Sequence, residues 1–74
     1  MKIIRARITK LPATFSDPMP EVFVTTEDEV EHFLFTYYPD EILFVASEFL
    51  GLTIPEAKNL RHQKDVAYLR SGEQ

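Results

Sequence analysis

The chain of 74 residues contains no cysteine, which excludes disulfides and thiolate zinc sites. It has only two glycines, Gly51 and Gly72, which cannot form a phosphate-cradling loop. A chain this short buries only about 60% of the surface that its unfolded form exposes. Without disulfides it depends on good packing or on self-association. We therefore expect one small domain over residues 1–74, with 71–74 as a frayed tail.

No run of apolar residues is long enough to cross a membrane. The longest one, from Ile42 to Ala46, has five residues, whereas a membrane helix needs about 20. Arg5 and Arg7 also interrupt the apolar stretch that a signal peptide requires. Apolar residues make up 45% of the chain, so we expect a folded protein. From the short apolar runs and the interrupted N-terminal stretch we expect a location in the cytoplasm and no membrane partner.

Positive charge is missing from the middle of the chain. Residues 11–57 contain no lysine or arginine, yet they hold ten of the twelve carboxylates and eight of the nine aromatic side chains. Residues 1–10 carry a net charge of +4 and residues 58–74 carry +2, against −10 for the middle. The overall charge of −4 argues against a general affinity for nucleic acid, because phosphates select basic surfaces.

Alternating apolar and polar side chains predict a first strand over residues 2–10. Ile4, Ala6 and Ile8 fall on one side of it, and only Ile3 is out of step. This alternation is typical of a strand that is buried on one face.

A loop and a second strand follow. Three prolines within residues 12–20 remove hydrogen-bond donors from the backbone, which predicts a loop. Residues 21–26 alternate again, with Val22 and Val24 on the side opposite Phe23. We therefore expect the second strand over 21–26.

The segment 30–37 has two interpretations. It is rich in aromatic and β-branched residues, which favours a third strand that forms a hairpin with 21–26. Alternatively, Thr26 and Glu29 form a capping box that begins a helix. We favour the hairpin, because the side of such a helix opposite its apolar stripe would also be aromatic and poor in helix formers.

The last third of the chain predicts at least one helix. Residues 40–50 are compatible either with a helix that ends at Gly51 or with a short strand followed by a turn. A clearer helix runs from 54 toward 69, because Thr53 and Glu56 form a capping box. Together these patterns predict an α+β fold: a small antiparallel sheet of about three strands packed against a C-terminal helix, with an uncertain element at 40–50.

The third predicted strand is apolar on both of its sides. Val30 and Leu34 fall on one side, and Phe33, Phe35 and Tyr37 fall on the other. A strand of this kind is normally buried on both faces, but the helix can cover only one face of a small sheet. The second face is therefore covered either by residues 40–50, in a three-layered core, or by a second subunit or a foreign partner.

An open second face would provide an interaction surface beside the acidic turn. Aromatic side chains dominate interface energetics, so the expected anchors are aromatic. They are Phe23, Phe33, Phe35 and Tyr37. The carboxylates beside them are Glu27, Asp28, Glu29 and Glu31. The partner would be another protein or a second copy of the chain, and a homodimer is the simplest case.

Basic residues form an alternative surface that could touch nucleic acid. It consists of Arg5, Arg7, Arg61 and Lys64. No RNP, helix-turn-helix or zinc-finger pattern accompanies these residues. We interpret the two strand arginines as cross-strand partners of an acid such as Glu21, in pairs that contribute only ~0.2–1 kcal/mol each.

The sequence contains no recognisable catalytic or metal-binding pattern. His32 and His62 have no further His or Cys at ligand spacing, and the serines lack a nucleophile-elbow context. We therefore expect no enzymatic activity, no cofactor and no small-molecule substrate. The favoured function is a small intracellular protein–protein interaction module, such as a regulator or inhibitor, whose size would suit an accessory of a phage or another mobile element. The alternative is a nucleic-acid-binding accessory.

Overall fold

The computed structural model describes residues 1–11, 14, 17–39 and 41–71. These residues form five elements: β1 (Ile3–Ile8), β2 (Glu21–Thr26), β3 (Glu31–Thr36), a short 3-10 helix (Ala46–Phe49) and α1 (Ile54–Ser71). The strands form one antiparallel sheet in the order β1-β2-β3. The α+β fold predicted from the sequence is confirmed.

Parts of three predicted segments lie outside the described residues. They are the loop residues Pro12, Ala13, Phe15 and Ser16, the first residue of the 40–50 segment, Asp40, and the tail residues Gly72, Glu73 and Gln74. Within the ranges that are described, no helix combines the length and the apolar character needed to cross a membrane.

β1 contains a β-bulge that corrects the predicted assignment of its sides. The register to β2 shifts between Ile3 and Arg5, so Ile4 is an extra residue. Ile3 is buried in the core and Ile4 is exposed, which is the reverse of what simple alternation predicts. Beyond the bulge, Ala6 and Ile8 pack against the core as expected.

β2 and β3 form the predicted hairpin, which rules out the alternative helix. Its loop consists of Glu27, Asp28 and Glu29, and the N–H of Thr26 donates to the carbonyl of Val30 at 3.1 Å. Glu29 has a φ of 67°, the left-handed conformation that closes common three-residue hairpin loops. A glutamate in this conformation costs about 1 kcal/mol, whereas glycine adopts it freely.

A second β-bulge decides which side chains of β3 face the core. The register to β2 shifts between Phe33 and Phe35, so Leu34 is an extra residue. An extra residue reverses the two faces of the strand beyond it. Tyr37 is therefore 1% exposed and Phe33 is 54% exposed. The prediction that Phe35 and Tyr37 share a face with Phe33 is wrong for this reason.

Residues 42–49 cover the same face of the sheet as α1. Residues 42–45 form neither helix nor strand, and the 3-10 helix follows them. Phe44 and Phe49 are buried with their ring centroids 5.6 Å apart, and Phe44 also contacts Phe35 at 5.2 Å. Because these rings join the single core beneath α1, the alternative of a three-layered core is wrong.

α1 begins with the predicted capping box. The N–H of Thr53 donates to the Glu56 carboxylate at 2.9 Å, and the N–H of Glu56 donates to the Thr53 hydroxyl at 3.3 Å. The helix continues without a break through its polar segment 61–65. Its apolar contacts with the core lie in its first half, where Ala57 is buried and Leu60 packs against the core.

The core predicts a strong effect of one substitution. Phe49 is completely buried, and truncation of a buried phenylalanine to alanine costs about 3–5 kcal/mol. Since the single core of so small a chain rarely supplies more than about 3–5 kcal/mol of stability, we expect Phe49→Ala to be largely unfolded, as measured by circular dichroism and thermal melting. Phe33→Ala, the matched control with an exposed ring, should lower the unfolding free energy by less than about 1 kcal/mol. Equal melting of the two variants would contradict the burial.

Candidate interaction surface

The sheet has an inner face, which packs against α1, and an outer face, which points away from it. Side chains that alternate with the core residues Val22 and Val24 lie on the outer face. We define the outer face by seven residues: Arg5, Arg7, Glu21, Phe23, Thr25, Glu31 and Phe33. Strand register aligns six of them in two rows across the sheet, Arg7–Phe23–Phe33 and Arg5–Thr25–Glu31.

Phe23 lies at the centre of the outer face and contacts a neighbour on each side. The ring of Phe33 meets it edge to face, with centroids 5.6 Å apart and an interplanar angle of 65°. The guanidinium of Arg7 lies 4.1 Å from the centre of the Phe23 ring. Both arrangements are attractive, because an aromatic ring has a negative face and a positive edge. These contacts hold the three side chains in defined positions.

Arg7 also forms a two-pronged ion pair with Glu31. Its Nε donates to Oε2 at 2.9 Å and its Nη2 donates to Oε1 at 3.0 Å. The pair spans the central strand, where Thr25 is only 8% exposed. The hydrogen bonds from Arg7 lower the pKa of Glu31, and the same bonds raise the pKa of Arg7. Bidentate pairs of this kind fix orientation as well as adding attraction.

Arg5 pairs with the hairpin loop. Its Nη2 donates to Oε2 of Glu29 at 2.7 Å, and both side chains are exposed. The two arginines of β1 therefore pair with Glu29 and Glu31 and not with the predicted Glu21. The predicted partner lies at the opposite end of β2 from the loop, because Glu21 is aligned with Thr9.

The other two carboxylates of the acidic turn order the turn itself. Glu27 accepts the backbone N–H of Lys2 at 2.6 Å. Asp28 accepts the hydroxyl of Thr26 and the N–H of Val30. The hydrogen bond from Thr26 lowers the pKa of Asp28. Glu27 and Asp28 thus have structural roles at the edge of the outer face.

Phe35 and Tyr37 are core residues and do not belong to the outer face. Phe35 contacts Phe44 and Phe49, and the ring of Tyr37 lies 4.9 Å from that of Phe44. Burial raises the pKa of the Tyr37 hydroxyl. Of the four predicted anchors, the structure brings together only Phe23 and Phe33.

The four residues of the alternative basic surface lie on two sides of the sheet. Arg5 and Arg7 belong to the outer face, whereas Arg61 and Lys64 belong to α1. Each is paired with a carboxylate at 2.7–3.6 Å: Arg5 with Glu29, Arg7 with Glu31, Arg61 with Asp65, and Lys64 with Glu48. These four residues therefore do not form one continuous basic groove along which a phosphate backbone could run.

Lys64 has a structural role, since it joins α1 to the segment before it. Its Nζ lies 2.7 Å from Oε2 of Glu48, donates to the carbonyl of Leu43 and lies 4.3 Å from the centre of the Phe44 ring. Burial acts to raise the pKa of Glu48, but the hydrogen bonds from Lys64 and from the Val45 N–H together lower it. The stem of Lys64 therefore lies over apolar surface while its charge is paired.

The sequence placed Arg5 and Arg7 in the alternative basic surface and Phe23 and Phe33 in the favoured one, although it also paired the arginines with Glu21, which shares the face of Phe23. The pairing of β1 with β2 places them on one surface, because Arg7 lies directly beside Phe23. The alternation within each strand already indicated that these side chains point away from the core. What it lacked was the relative register of the strands.

Comparisons of the chain with protein-family models, with curated proteins and with solved structures give no significant match. Nor do the described residues contain a group of three or more His, Cys, Asp or Glu side chains that could hold a metal ion. The outer face is the candidate site on its geometry alone.

The Arg7–Glu31 pair generates a prediction about pH. The pKa of Glu31 lies below its ordinary value of 4.5, because Arg7 donates to the carboxylate. Such a group stabilises the folded state above its unfolded-state pKa, and the contribution is lost as the pH falls through its folded-state pKa. We expect Arg7→Met to raise the pKa of Glu31, as measured by NMR titration of its side-chain carboxyl carbon.

Glu56 is the internal control for this titration. Hydrogen bonds from the Thr53 N–H and hydroxyl lower its pKa, and Arg7 takes no part in them. The pKa of Glu56 should therefore stay low in Arg7→Met. A Glu31 pKa that is also unchanged would contradict the ion pair.

Proposed function

We propose that this protein is a protein–protein interaction module and that the outer face is its binding surface. The observation that carries the proposal is the exposure of Phe33, a large aromatic side chain of the outer face that is 54% accessible. The inner face already has a complete core, to which α1 and residues 42–49 contribute. An exposed ring beside a second aromatic ring and an arginine has the composition typical of interface hot spots.

The fixed geometry of the outer face supports the same proposal. Phe23 is held between the ring of Phe33 and the guanidinium of Arg7, and Arg7 is held in turn by Glu31. A partner that binds here has few side chains to immobilise. Preorganisation of this kind strengthens association, because each ordered side chain otherwise costs about 0.5–1.5 kcal/mol.

The conformation of Glu29 gives further support. A glycine at this left-handed position would avoid a cost of about 1 kcal/mol. The exposed ion pair between Glu29 and Arg5 recovers about 0–1 kcal/mol. A glutamate without clear benefit to stability is consistent with a use for its negative charge at the edge of the outer face.

The proposed module acts by occupancy and not by chemistry. It would cover part of a partner's surface, as a regulator or inhibitor does. The absence of cysteine fits a reducing compartment such as the cytoplasm.

A capture experiment with matched variants tests the proposal. The wild-type chain, Phe33→Ala and Tyr68→Ala are immobilised and exposed to a lysate of the source organism, and the retained proteins are quantified by mass spectrometry. We expect the wild type to retain at least one protein, copies of this chain included, that Phe33→Ala retains at least about tenfold less. Tyr68 is an exposed ring on α1, so Tyr68→Ala should retain the same protein as the wild type.

Circular dichroism of the three baits distinguishes loss of binding from loss of folding. Equal retention by the wild type and a folded Phe33→Ala would refute the outer face as the binding surface. Equal losses with Phe33→Ala and Tyr68→Ala would indicate nonspecific adhesion of exposed rings, which also counts against the proposal.

A further inference from the structure

We infer that the outer face binds a second copy of this chain, in a twofold-symmetric dimer whose axis runs along β2. The dimer rests on the proposed function, since it names the partner of the same surface. The charge pattern of the outer face is what identifies this partner. One edge strand contributes Arg5 and Arg7, the other contributes Glu31, and the aromatic residues Phe23 and Phe33 are aligned with Arg7.

Two identical faces can stack with a twofold axis that lies in the plane between them. If the axis runs along the strands, β1 lies over β3 of the partner subunit, and arginines meet glutamates. If the axis runs across the strands, β1 lies over β1 of the partner subunit, and arginines meet arginines. Like charges across an interface are repulsive, so the pattern selects the axis along the strands.

The two rows match when the axis lies along β2. In the first row, Arg7 faces the ring of the partner's Phe33, and Phe23 faces its own copy. In the second row, Arg5 faces the partner's Glu31. Stacked sheets keep their strands within about 30° of each other, which maintains these pairings near the axis. Charge and aromatic groups are thus complementary in the same arrangement.

The size of the outer face sets the strength of the dimer. Three strands of six residues cover about 14 by 20 Å, or ~300 Å². A stable interface buries about 800 Å² on each partner. We therefore expect weak self-association, with a dissociation constant of at least about 1 μM.

One contact opposes this dimer. Glu21 lies on β2 two residues before Phe23 and on the same face, so the twofold axis brings it close to its own copy. Like charges directly opposite each other are destabilising. A weakening of the dimer by Glu21 is therefore specific to an axis along β2.

A charge exchange tests the arrangement. The wild type, Arg5→Glu, Glu31→Arg and an equimolar mixture of the two variants are measured by sedimentation velocity over a wide concentration range. Each variant alone brings two like-charged pairs together, so we expect its dissociation constant to rise roughly tenfold. In a mixed dimer of one Arg5→Glu chain and one Glu31→Arg chain, position 5 of each chain faces an opposite charge at position 31 of the other. Association in the mixture should therefore recover to within about threefold of the wild type. Absence of recovery would refute the inferred axis.

The central glutamate provides an independent test. Glu21→Gln should lower the dissociation constant by about threefold, because it removes the like-charge contact. Glu41→Gln is the matched control, since Glu41 is exposed and lies outside the outer face, and it should leave association unchanged. A weaker Glu21→Gln dimer would contradict the axis along β2.

The outcomes separate the dimer from the proposed function. A wild-type chain that stays monomeric to about 1 mM would overturn the dimer, and Phe33-dependent capture of a different protein would then leave the proposed function standing. A dimer that is insensitive to Phe33→Ala and to the charge exchange would use another surface, which also overturns the inference. Loss of both self-association and Phe33-dependent capture would overturn both proposals.

Discussion

The alternation of side chains along β3, and its interruption at Leu34, is the constraint on which the rest of the structure depends. Before the bulge Phe33 points outward, and after it Phe35 and Tyr37 point into the core. A regular strand would direct Phe35 and Tyr37 away from Phe44, and the core beneath α1 would lose two rings. One inserted residue thus divides an unusually aromatic strand between a core and a surface.

Much of the charge segregation along the chain is used inside the fold. Among the residues that the structure describes, the basic ends pair with the acidic middle through three ion pairs: Arg5 with Glu29, Arg7 with Glu31, and Lys64 with Glu48. The first two bind the first strand to the hairpin, and the third binds α1 to the 3-10 helix. All three connect segments that are distant in sequence. The exposed pairs contribute little stability individually, but their geometry fixes the side chains of the outer face.

The elements that the sequence predicts well are those with local causes. The capping box of Thr53 and Glu56 depends on contacts three residues apart, and it fixes the start of α1. The strands follow from alternation that each segment carries by itself. Ile4 and Leu34 could not be identified as bulges in this way, because a bulge is defined by the partner strand and by the core it must fill. The contact of Arg7 with Phe23 also depends on register, which neither strand's sequence determines by itself.

The two bulges also lie in the two strands that have a free edge. Unpaired edges are sites where sheets of different molecules join into open-ended aggregates, and bulges prevent this because they twist the edge out of line. Near Ile3 the edge of β1 is closed further, since Ile3 exchanges backbone hydrogen bonds with Gly51 and Leu52. Growth of fibrils along the hydrogen-bonding direction is thereby disfavoured. Association through the outer face is not blocked by the bulges, and twofold association through a face stops at a complex of finite size.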